Sequence, residues 1–345
     1  MTTDAKRHDM DETALVAAAT AGDEDAFATL THRHRRELHV HCYRMLASFE
    51  DAEDLVQETF LRAWQKRETF EGRSTFRAWL YRIATNACLD FLARHERQAI
   101  EIPTHGSEPA DLSPHVAWLQ PYPDRLLERA APEEAEPHAA LVRKETIELA
   151  FVVAVQFLPP RQRAVLLLHD VLDWSANETA ALLESTVASV NGALQRARAA
   201  LRERQPARDS HQSFDQTSSE QDRRLTQQYI EATERCDVAA LARLLRDDVR
   251  FSMPPEAIAF AGNEAVVQSW VQGGFGSPPY DAWKHIVTAA NGMPAVAWYL
   301  RRPGDHRYHA FAMDVLRMEQ GAIVEITTFD LAHLLDAFDL PEMLS

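Results

Sequence analysis

The sequence has few cysteines and no long run of apolar residues. Its three cysteines, Cys42, Cys88 and Cys236, lie far apart, which gives neither a disulfide framework nor the close spacing of a zinc site. No stretch approaches the ~20 apolar residues that a membrane-spanning helix needs. The N-terminus also lacks the layout of a secretory signal peptide. We therefore expect a reduced, cytoplasmic protein with no metal and no cofactor.

The chain also lacks an excess of positive charge. Its 36 Lys and Arg residues stand against 52 Asp and Glu, a net charge of -16. This balance argues against a protein that coats nucleic acid over its whole surface, although an acidic chain can still carry a local basic face. With 46% hydrophobic and 26% charged residues, a wholly disordered or fibrous protein is excluded. The length of 345 residues predicts two or three domains.

Composition and periodicity divide the chain into five segments. Helical periodicity covers two of them, and an acidic stretch with seven prolines, 3 basic and 9 acidic residues separates these two. Prolines break helices and repelling acids extend a chain, so this stretch is expected to be a linker. The C-terminal segment begins with helices and continues with alternating, strand-like runs. The predicted segments are a helical domain at 24–95, an acidic linker at 96–142, a helical domain at 143–204, a polar linker at 205–221 and an α+β domain at 222–345.

The first helical domain contains two faces of interest. In the helix that begins near Asp51, the face opposite the apolar stripe carries Asp51, Glu53, Asp54, Gln57 and Glu58. A charge run of this kind is most often a solvated surface, and a protein-docking surface is the alternative.

The second face belongs to the next helix, for which Ser74 is the predicted N-cap. There Trp79, Arg82 and Asn86 share one side, a combination that can hold phosphates and unstacked bases. A Trp at helical spacing is more often part of a core, so these residues alone do not decide between a nucleic-acid surface and a packed core.

The second helical domain has the pattern of a helix-turn-helix. Ser175 and Glu178 fit a capping box, and a short helix then leads to a tight turn at Glu184. From Ser189 to Arg204 the last helix has four Arg and one acid, the reverse of the balance in the whole chain. A basic second helix after a tight turn is the geometry that enters the DNA major groove, and a plain helical hairpin is the alternative.

These motifs, in this order and at these separations, resemble the extracytoplasmic-function (ECF) group of bacterial RNA polymerase sigma factors. In that family the first domain binds the polymerase clamp and opens the minus-ten element, and the second domain reads the minus-thirty-five element. The resemblance therefore implies RNA polymerase core and promoter DNA as partners. The sequence departs from the family pattern at Glu184-Ser185, where a Gly is expected in the turn. The matching segments are DAEDLVQETF from Asp51, FRAWLYRIA from Phe76, LPPRQR from Leu158, Val190-Asn191 and QRAR from Gln195.

Site residues carry over from the family at the matching positions only. The implied clamp-binding residues are Asp51, Glu53, Asp54, Leu55, Gln57 and Glu58. The implied minus-ten residues are Arg73, Ser74, Thr75, Trp79, Arg82 and Asn86. The implied minus-thirty-five residues are Ser189, Asn191, Gln195, Arg196 and Arg198.

The C-terminal segment resembles the SnoaL-like (NTF2-like) α+β cone that is fused to some ECF factors. The linker sequence Trp118 to Asp124, WLQPYPD, resembles a segment of those extended factors, and Asn291-Gly292 is a hairpin signal. Together the two resemblances predict a multidomain protein with two all-α sigma domains, a helical bundle and a helix-turn-helix, followed by an NTF2-like cone. Residues that could line a pocket in the cone are Trp270, His285, Trp298, His309 and Asp314.

We thus predict a sigma factor whose C-terminal domain regulates it, and no enzymatic activity. One alternative is a small-molecule isomerase or cyclase in the C-terminal domain with an N-terminal DNA-targeting module. Enzymes of this fold use a buried carboxylate as general base, but a fold does not imply its relatives' chemistry. Another alternative is a DNA-binding regulator that makes no polymerase contact. A ligand for the cone and the sign of its regulation are both left open.

Overall fold

The computed structural model describes residues 12–72, 74–106, 112–128, 147–204 and 216–345. They form two compact units. The first unit contains the described residues of 12–98 and 154–204. The second contains those of 99–128, 147–153 and 216–345. The multidomain order of helical domains followed by a sheet-rich domain, predicted from the sequence, is confirmed.

The first unit is all α-helical. Its N-terminal helices are α1 (Glu12–Thr20), α2 (Glu24–Leu46), α3 (Phe49–Gln65) and α4 (Phe76–Arg94), with one turn of 3-10 helix at Arg67–Thr69. Helices α2, α3 and α4 contact one another pairwise. Side-chain caps set their starts, since Asp23 accepts a hydrogen bond from the Ala26 amide and Ser48 from the Asp51 amide. The N-cap of α4 is Thr75 rather than the predicted Ser74: the Thr75 hydroxyl accepts from the Ala78 amide at 3.1 Å.

The remaining helices of this unit follow the stretch that was predicted to be the acidic linker. They are α6 (Leu149–Gln156), whose last residues belong to this unit, α7 (Pro160–Leu166), a π-helical turn (Leu167–Val171), α8 (Ala176–Leu182) and α9 (Val187–Arg204). The predicted capping box is present, because Ser175 Oγ accepts from the Glu178 amide and the Glu178 carboxylate accepts from the Ser175 amide at 2.8 Å.

A buried arginine joins these helices to the N-terminal ones. Arg163 of α7 is 2% exposed and donates to the main-chain oxygen of Met45, in the last turn of α2. It also donates to the side chain of Gln156 at 2.5 Å, and Gln156 in turn donates to the Arg44 carbonyl at 3.2 Å. A guanidinium at the C-terminal carbonyls of a helix meets the negative end of the helix dipole. The two helical domains predicted from the sequence therefore pack on each other within one unit.

The second unit is built on a mostly antiparallel sheet. Helices α10 (Gln216–Glu234) and α11 (Val238–Leu244) come first, and α12 (Asn263–Gln272) and the short α13 (Leu335–Phe338) follow. The strands of this sheet are β3 (Leu245–Ser252), β4 (Ala259–Ala261), β5 (Trp283–Ala290), β6 (Met293–Leu300), β7 (Tyr308–Glu319), β8 (Ala322–Asp330) and β9 (Met343–Leu344). Their spatial order is β4-β3-β8-β7-β6-β5, with β9 added at one end of β7, and among these described strands only the β3–β8 pair is parallel.

The core of the second unit lies between α10 and the sheet. Leu225, Tyr229 and Ile230 of α10 pack against Val296, Trp298 and Leu316 of the strands. The hairpin expected at Asn291-Gly292 joins β5 to β6, with both residues in the left-handed region at φ 57° and 74°. Gln320-Gly321 makes the equivalent turn between β7 and β8.

Part of the stretch expected to be an extended acidic linker has structure of its own. Residues 99–106 and 112–128 belong to the second unit and are here called the strap. The strap contains β1 (Ile100–Pro103) paired with β2 (Leu112–His115), then α5 (Asp124–Glu128). Composition did not predict this packed segment, because it gives no weight to three apolar residues that are buried: Val116, Leu119 and Tyr122, at 1%, 6% and 1% exposure. These residues anchor a segment that prolines and acids had marked as extended.

Candidate nucleic-acid interface

The last helix of the helix-turn-helix presents its predicted DNA-reading side chains to solvent. Val190, Ala193, Leu194 and Ala197 turn inward and are buried. The opposite faces carry the predicted set, every member of which is exposed: Ser189, Asn191, Gln195, Arg196 and Arg198. Two amides and two guanidinium groups on the exposed side of one helix suit base edges and phosphates in a major groove.

Arg198 differs from the others because it has an acidic partner in the same unit. Its Nε donates to Asp170 at 2.9 Å and its Nη2 at 2.5 Å. Burial acts to raise the pKa of Asp170, but the hydrogen bonds from Arg198 and His169 outweigh it and the pKa is lowered. Arg198 therefore braces α9 against the π-helical turn as well as facing outward.

The turn that positions α9 forms a regular helix end without the expected glycine. Glu184 lies in the left-handed region at φ 48°. The Ser185 amide donates to the Ala180 carbonyl at 2.9 Å, the closing bond of a Schellman motif. The missing Gly is thus tolerated at the cost of backbone strain at Glu184.

The face predicted on α4 is only partly open. Arg82 is exposed and Asn86 is half-buried, but Trp79 is 4% exposed. Its ring packs on Phe70 and Phe76, with centroids 5.4 and 5.5 Å away. The interpretation of Trp79 as a surface for base stacking is therefore wrong for this arrangement, since the ring belongs to the core. Ser74 and Thr75 are exposed in the preceding loop, and Arg73 lies outside the described residues.

On the acidic helix α3 as well, some of the predicted contact residues are exposed and others are buried or ion-paired. Asp54 and Gln57 are exposed, whereas Leu55 is 4% exposed and belongs to the bundle core. The expectation that Leu55 offers its side chain to a partner does not fit this burial. The other three residues are held by ion pairs: Asp51 with Arg97 at 2.8 Å, Glu58 with Arg62 at 2.5 Å, and Glu53 with Arg35.

A buried polar network lies under α4, and nothing in the sequence pattern had indicated it. Glu37 of α2 accepts from Arg77 at 2.7 Å and from the Tyr81 hydroxyl at 3.3 Å. Burial acts to raise the pKa of Glu37, but the bonds from His34 and Arg77 outweigh it and the pKa is lowered. His41, 1% exposed, bonds to Thr85 at 2.9 Å, and burial lowers its pKa to about 3. Its burial makes His41 a neutral part of the core.

In the second unit, two of the predicted pocket residues, Trp298 and Asp314, are hydrogen-bonded to each other. The Asp314 carboxylate accepts from Trp298 Nε1 at 2.7 Å, the Tyr229 hydroxyl at 2.9 Å and Thr328 Oγ1 at 2.5 Å. Burial raises the pKa of Asp314 against the effect of these three donors. Donors from three elements thus hold the carboxylate within the core.

The other predicted pocket residues are spread out. His285 lies near Trp298, with ring centroids 6.1 Å apart, and pairs with Glu234 at 2.7 Å. Trp270 packs edge-on against Phe251, 5.8 Å between centroids. His309 does not line the interior, because its side chain is 54% exposed. Within the described residues, no group of three or more His, Cys, Asp or Glu could hold a metal ion.

Three segments of the chain match known protein families, and the whole chain is similar to known proteins. Residues 30–98 match the family model of sigma-70 region 2, residues 149–201 that of sigma-70 region 4, and residues 226–326 that of the SnoaL-like domain. The chain is 39% identical over 342 residues to the ECF RNA polymerase sigma factor SigG of Mycobacterium tuberculosis, covering 95% of this chain and 89% of that protein. It is 30% identical to SigW of Bacillus subtilis, covering 52% of this chain and 89% of that protein.

A solved structure shares the fold over most of the chain. The ECF sigma factor SigJ of Mycobacterium tuberculosis aligns with a TM-score of 0.57 at 21% identity, covering 91% of this chain and 99% of that one. At this identity the likeness concerns the fold. Among the described residues, no helix combines the length and apolarity needed to cross a membrane.

The 39% identity over nearly the full length, together with two sigma-70 regions in the expected order, fixes the family. Members bind RNA polymerase core and promoter DNA to start transcription, and they are not enzymes. The chain belongs to the ECF RNA polymerase sigma factors and carries a SnoaL-like domain at its C-terminal end.

Proposed function

We propose that α9 reads the minus-thirty-five element, that the α4 loop and its exposed face engage the minus-ten element, and that α3 contacts the polymerase. The observation that carries this assignment is that Ser189, Asn191, Gln195, Arg196 and Arg198 are all exposed on one helix of a helix-turn-helix. Asn191 and Gln195 suit adenine edges, and Arg196 suits guanine or phosphate. The protein would act in the cytoplasm, with the core enzyme.

The test is run-off transcription by full-length protein with core polymerase on a library of promoters. Asn191→Ala and Gln195→Ala should each relax selection at one base position by about 1–3 kcal/mol, whereas loss of a phosphate contact at Arg196 weakens all promoters alike. Glu203→Ala, on the same helix beyond the reading face, is the control. Unchanged selection in both amide variants would place the reading surface elsewhere.

For the polymerase contact, burial of Leu55 changes which variant is informative. Asp54 is exposed, so Asp54→Arg reverses a charge at the surface without opening the core. It should lower the association rate with core polymerase, since exposed interface charges act mainly on association. Gln57→Ala tests the neighbouring exposed position. Association at the wild-type rate in both variants would remove α3 from the interface.

We further propose that the SnoaL-like domain regulates the sigma domains through the strap. The strap lies between the two sigma regions in the chain, yet it packs in the same unit as the cone. At its first attachment the His105 amide donates to the Ala259 carbonyl, and the Ala261 amide donates to His105 O, each at 2.9 Å. A truncation after Gln205 would deprive the strap of this partner, so point variants are the cleaner test of regulation.

Gly106 provides such a variant. It lies at φ +96°, and a Cβ there would be 2.0 Å from Ala265 Cβ and 2.8 Å from Ala261 O. Gly106→Ala should therefore detach this end of the strap and change transcription output several-fold without changing promoter preference. Gly304→Ala is a matched control, with φ +95° and no atom within 4 Å. Equal output from Gly106→Ala, Gly304→Ala and the wild type would speak against regulation through the strap.

A small-molecule ligand for the cone is a further part of the proposal. Trp283 and Phe311 are partly exposed, with ring centroids 5.4 Å apart, and Tyr280 lies 5.9 Å from Phe311. Such a cluster favours a flat apolar molecule. Binding of anilinonaphthalene sulfonate, followed by energy transfer from tryptophan, should weaken several-fold in Phe311→Ala and stay unchanged in Val271→Ala, an exposed position on α12.

A further inference from the structure

The acidic partner of Arg198 holds one edge of the guanidinium and leaves the other edge unbonded. Arg198 Nε donates to Asp170 Oδ2 at 2.9 Å, and Nη2 donates to Asp170 Oδ1 at 2.5 Å. A guanidinium has five N–H donors, and these bonds use two of them. Among the described residues, none accepts a hydrogen bond from Nη1. Three donors therefore remain, on Nη1 and on the far side of Nη2, and the side chain is 45% exposed to an incoming anion.

Asp170 is itself fixed by the fold. It lies in the π-helical turn Leu167–Val171 that follows α7, and Leu167 and Leu168 of this turn are buried. His169 Nδ1 lies 2.9 Å from Asp170 Oδ1. Because an ionised carboxylate only accepts hydrogen bonds, Nδ1 is the donor of this contact. A packed turn and a neighbouring ring thus keep the carboxylate in place, and the carboxylate keeps the guanidinium in place.

Arg196, two residues before Arg198, has no such partner. It is exposed, and among the described residues no carboxylate pairs with it. An exposed arginine gives up rotamer freedom when it binds an anion, whereas an arginine that is already fixed does not have to. Arg198 is therefore pre-organised for binding and Arg196 is not.

The position of Arg198 along α9 favours a phosphate rather than a base. In helix-turn-helix proteins the N-terminal residues of the second helix contact base edges. Arg198 lies seven residues beyond Asn191, which is two turns or ~10 Å further along the same side of the helix. It also adjoins the buried stripe, because Leu194, one turn before it, is buried. A side chain at this place lies beside the groove, where the sugar-phosphate backbone runs.

The carboxylate of Asp170 opposes DNA binding unless it orients Arg198. The phosphates of DNA are negative, so an acid beside the backbone lowers the affinity through repulsion. From Ser189 to Arg204, α9 has four Arg and only one acid, Glu203. Asp170 lies against this basic helix, and its charge cancels that of Arg198. It can favour DNA binding only through the orientation that it gives the guanidinium.

We propose that Asp170 is a positioning residue, which orients the guanidinium of Arg198 to bind one DNA phosphate beside the minus-thirty-five element. The inference rests on the proposed assignment of α9 to that element and adds to it a residue outside α9. The end of the fork binds two oxygens of the phosphate, which is the strong bidentate arrangement of arginine with anions. Since every DNA sequence carries phosphates, Asp170 sets affinity and not base preference.

The salt dependence of promoter binding tests this role. Full-length protein with core polymerase is titrated onto a promoter fragment that it transcribes, at several salt concentrations. Each phosphate contact that is lost lowers the slope of log affinity against log salt by about 0.9. Arg198→Ala and Asp170→Asn should each lower the slope by this amount and weaken binding to all promoters roughly tenfold. The double variant should lower the slope no further.

The sign of the change distinguishes positioning from mere proximity. If Asp170 is only a neighbouring acid, Asp170→Asn removes a repelling charge, so it binds more tightly and with an equal or steeper slope. Glu203→Gln, which removes the acid of α9 itself, is the matched control and should show this pattern or no change. A change of base preference in Asp170→Asn would mean that Arg198 reads a base, and it would overturn the phosphate contact.

Neutral phosphates identify the contact directly. A methylphosphonate replaces one charged oxygen of a single phosphate by a methyl group, and it is placed in turn at each position across the minus-thirty-five element. At one position it should weaken wild-type binding roughly tenfold, yet have no effect in Arg198→Ala or in Asp170→Asn. In Glu203→Gln it should act as in the wild type. Effects of equal size in all four proteins at every position would overturn the proposal.

The outcomes separate this inference from the function on which it rests. If no methylphosphonate weakens wild-type binding, the assignment of α9 to the element fails. If some do, and folded Asp170→Asn keeps the wild-type affinity and slope, the positioning role is overturned and the function stands. Thermal melting identifies an Asp170→Asn protein that is partly unfolded. Arg198→Lys then decides, because it keeps the charge and loses the bidentate bond to Asp170: it should bind several-fold more weakly, and wild-type affinity would overturn the proposal.

Discussion

The two predicted DNA-facing helices, α4 and α9, differ in how much of their surface the fold leaves open. Helix α9 has one buried stripe, and all five of its predicted reading residues are exposed. Helix α4 contacts α2, α3, α7 and α8, and it buries eight of its nineteen residues, Trp79 among them. A periodic pattern identifies which side chains share a face, but the number of neighbouring helices decides whether that face reaches solvent.

The largest expected effect tests whether Trp79 is core or surface. Trp79→Ala should lower the free energy of unfolding by about 3–5 kcal/mol, because it removes a ring packed between Phe70 and Phe76. Chemical denaturation of the full-length protein measures this. A change below 0.5 kcal/mol would mean that the indole lies at the surface.

Asn86→Ala is the matched probe on the same side of α4. Asn86 is only half-buried, so the variant should keep its stability and its binding to core polymerase. It should lose open-complex formation, seen as loss of permanganate-reactive thymines near the minus-ten element. Strand opening at the wild-type level in Asn86→Ala would remove α4 from DNA contact altogether.

The sequence predicted local features well and long-range ones poorly. The Ser175–Glu178 capping box and the Asn291-Gly292 hairpin are fixed by neighbours within four residues, and both are present. The insertion of Arg163 under α2 and the attachment of Tyr122 to Asn291 depend on partners more than a hundred residues away. Nothing in a local window distinguishes an arginine that will be buried from one that will face DNA.

A second expected effect concerns the pH dependence of the packing beneath α4. His41 faces Thr85, Tyr81, Glu37, Arg44 and Arg77, and burial lowers its pKa to about 3. The unfolded chain takes up a proton near pH 6.5, whereas the folded protein does not until the pH is far lower. Folding is therefore favoured above pH 6.5 and loses about 2 kcal/mol between pH 7 and pH 5.

Amide exchange in α2 and α4 as a function of pH, corrected for intrinsic rates, measures that loss. His41→Gln should remove the share of the dependence that His41 contributes while keeping a hydrogen-bonding group opposite Thr85. Burial also lowers the pKa of His39, to about 4, so a slope of the same sign and of similar size to the share removed should remain. An identical slope in His41→Gln and the wild type would show that His41 is not the titrating group.

The smallest expected effect concerns the turn that holds α9. Glu184 occupies the left-handed C′ position of α8, where a side chain costs about 1–2 kcal/mol and glycine does not. Part of that gain is offset because glycine increases the entropy of the unfolded chain. Glu184→Gly should therefore stabilise the first unit by about 0.5–1 kcal/mol in chemical denaturation. Glu184→Ala, which removes the charge and keeps a Cβ, should give no such gain, and equal stabilisation by both variants would assign the effect to charge.

Because the Ser185–Ala180 bond already fixes the turn, promoter selection in Glu184→Gly should stay as in the wild type. A shift in selection with Glu184→Gly would mean that the strained turn, and not only the exposed face of α9, sets how the helix enters the groove.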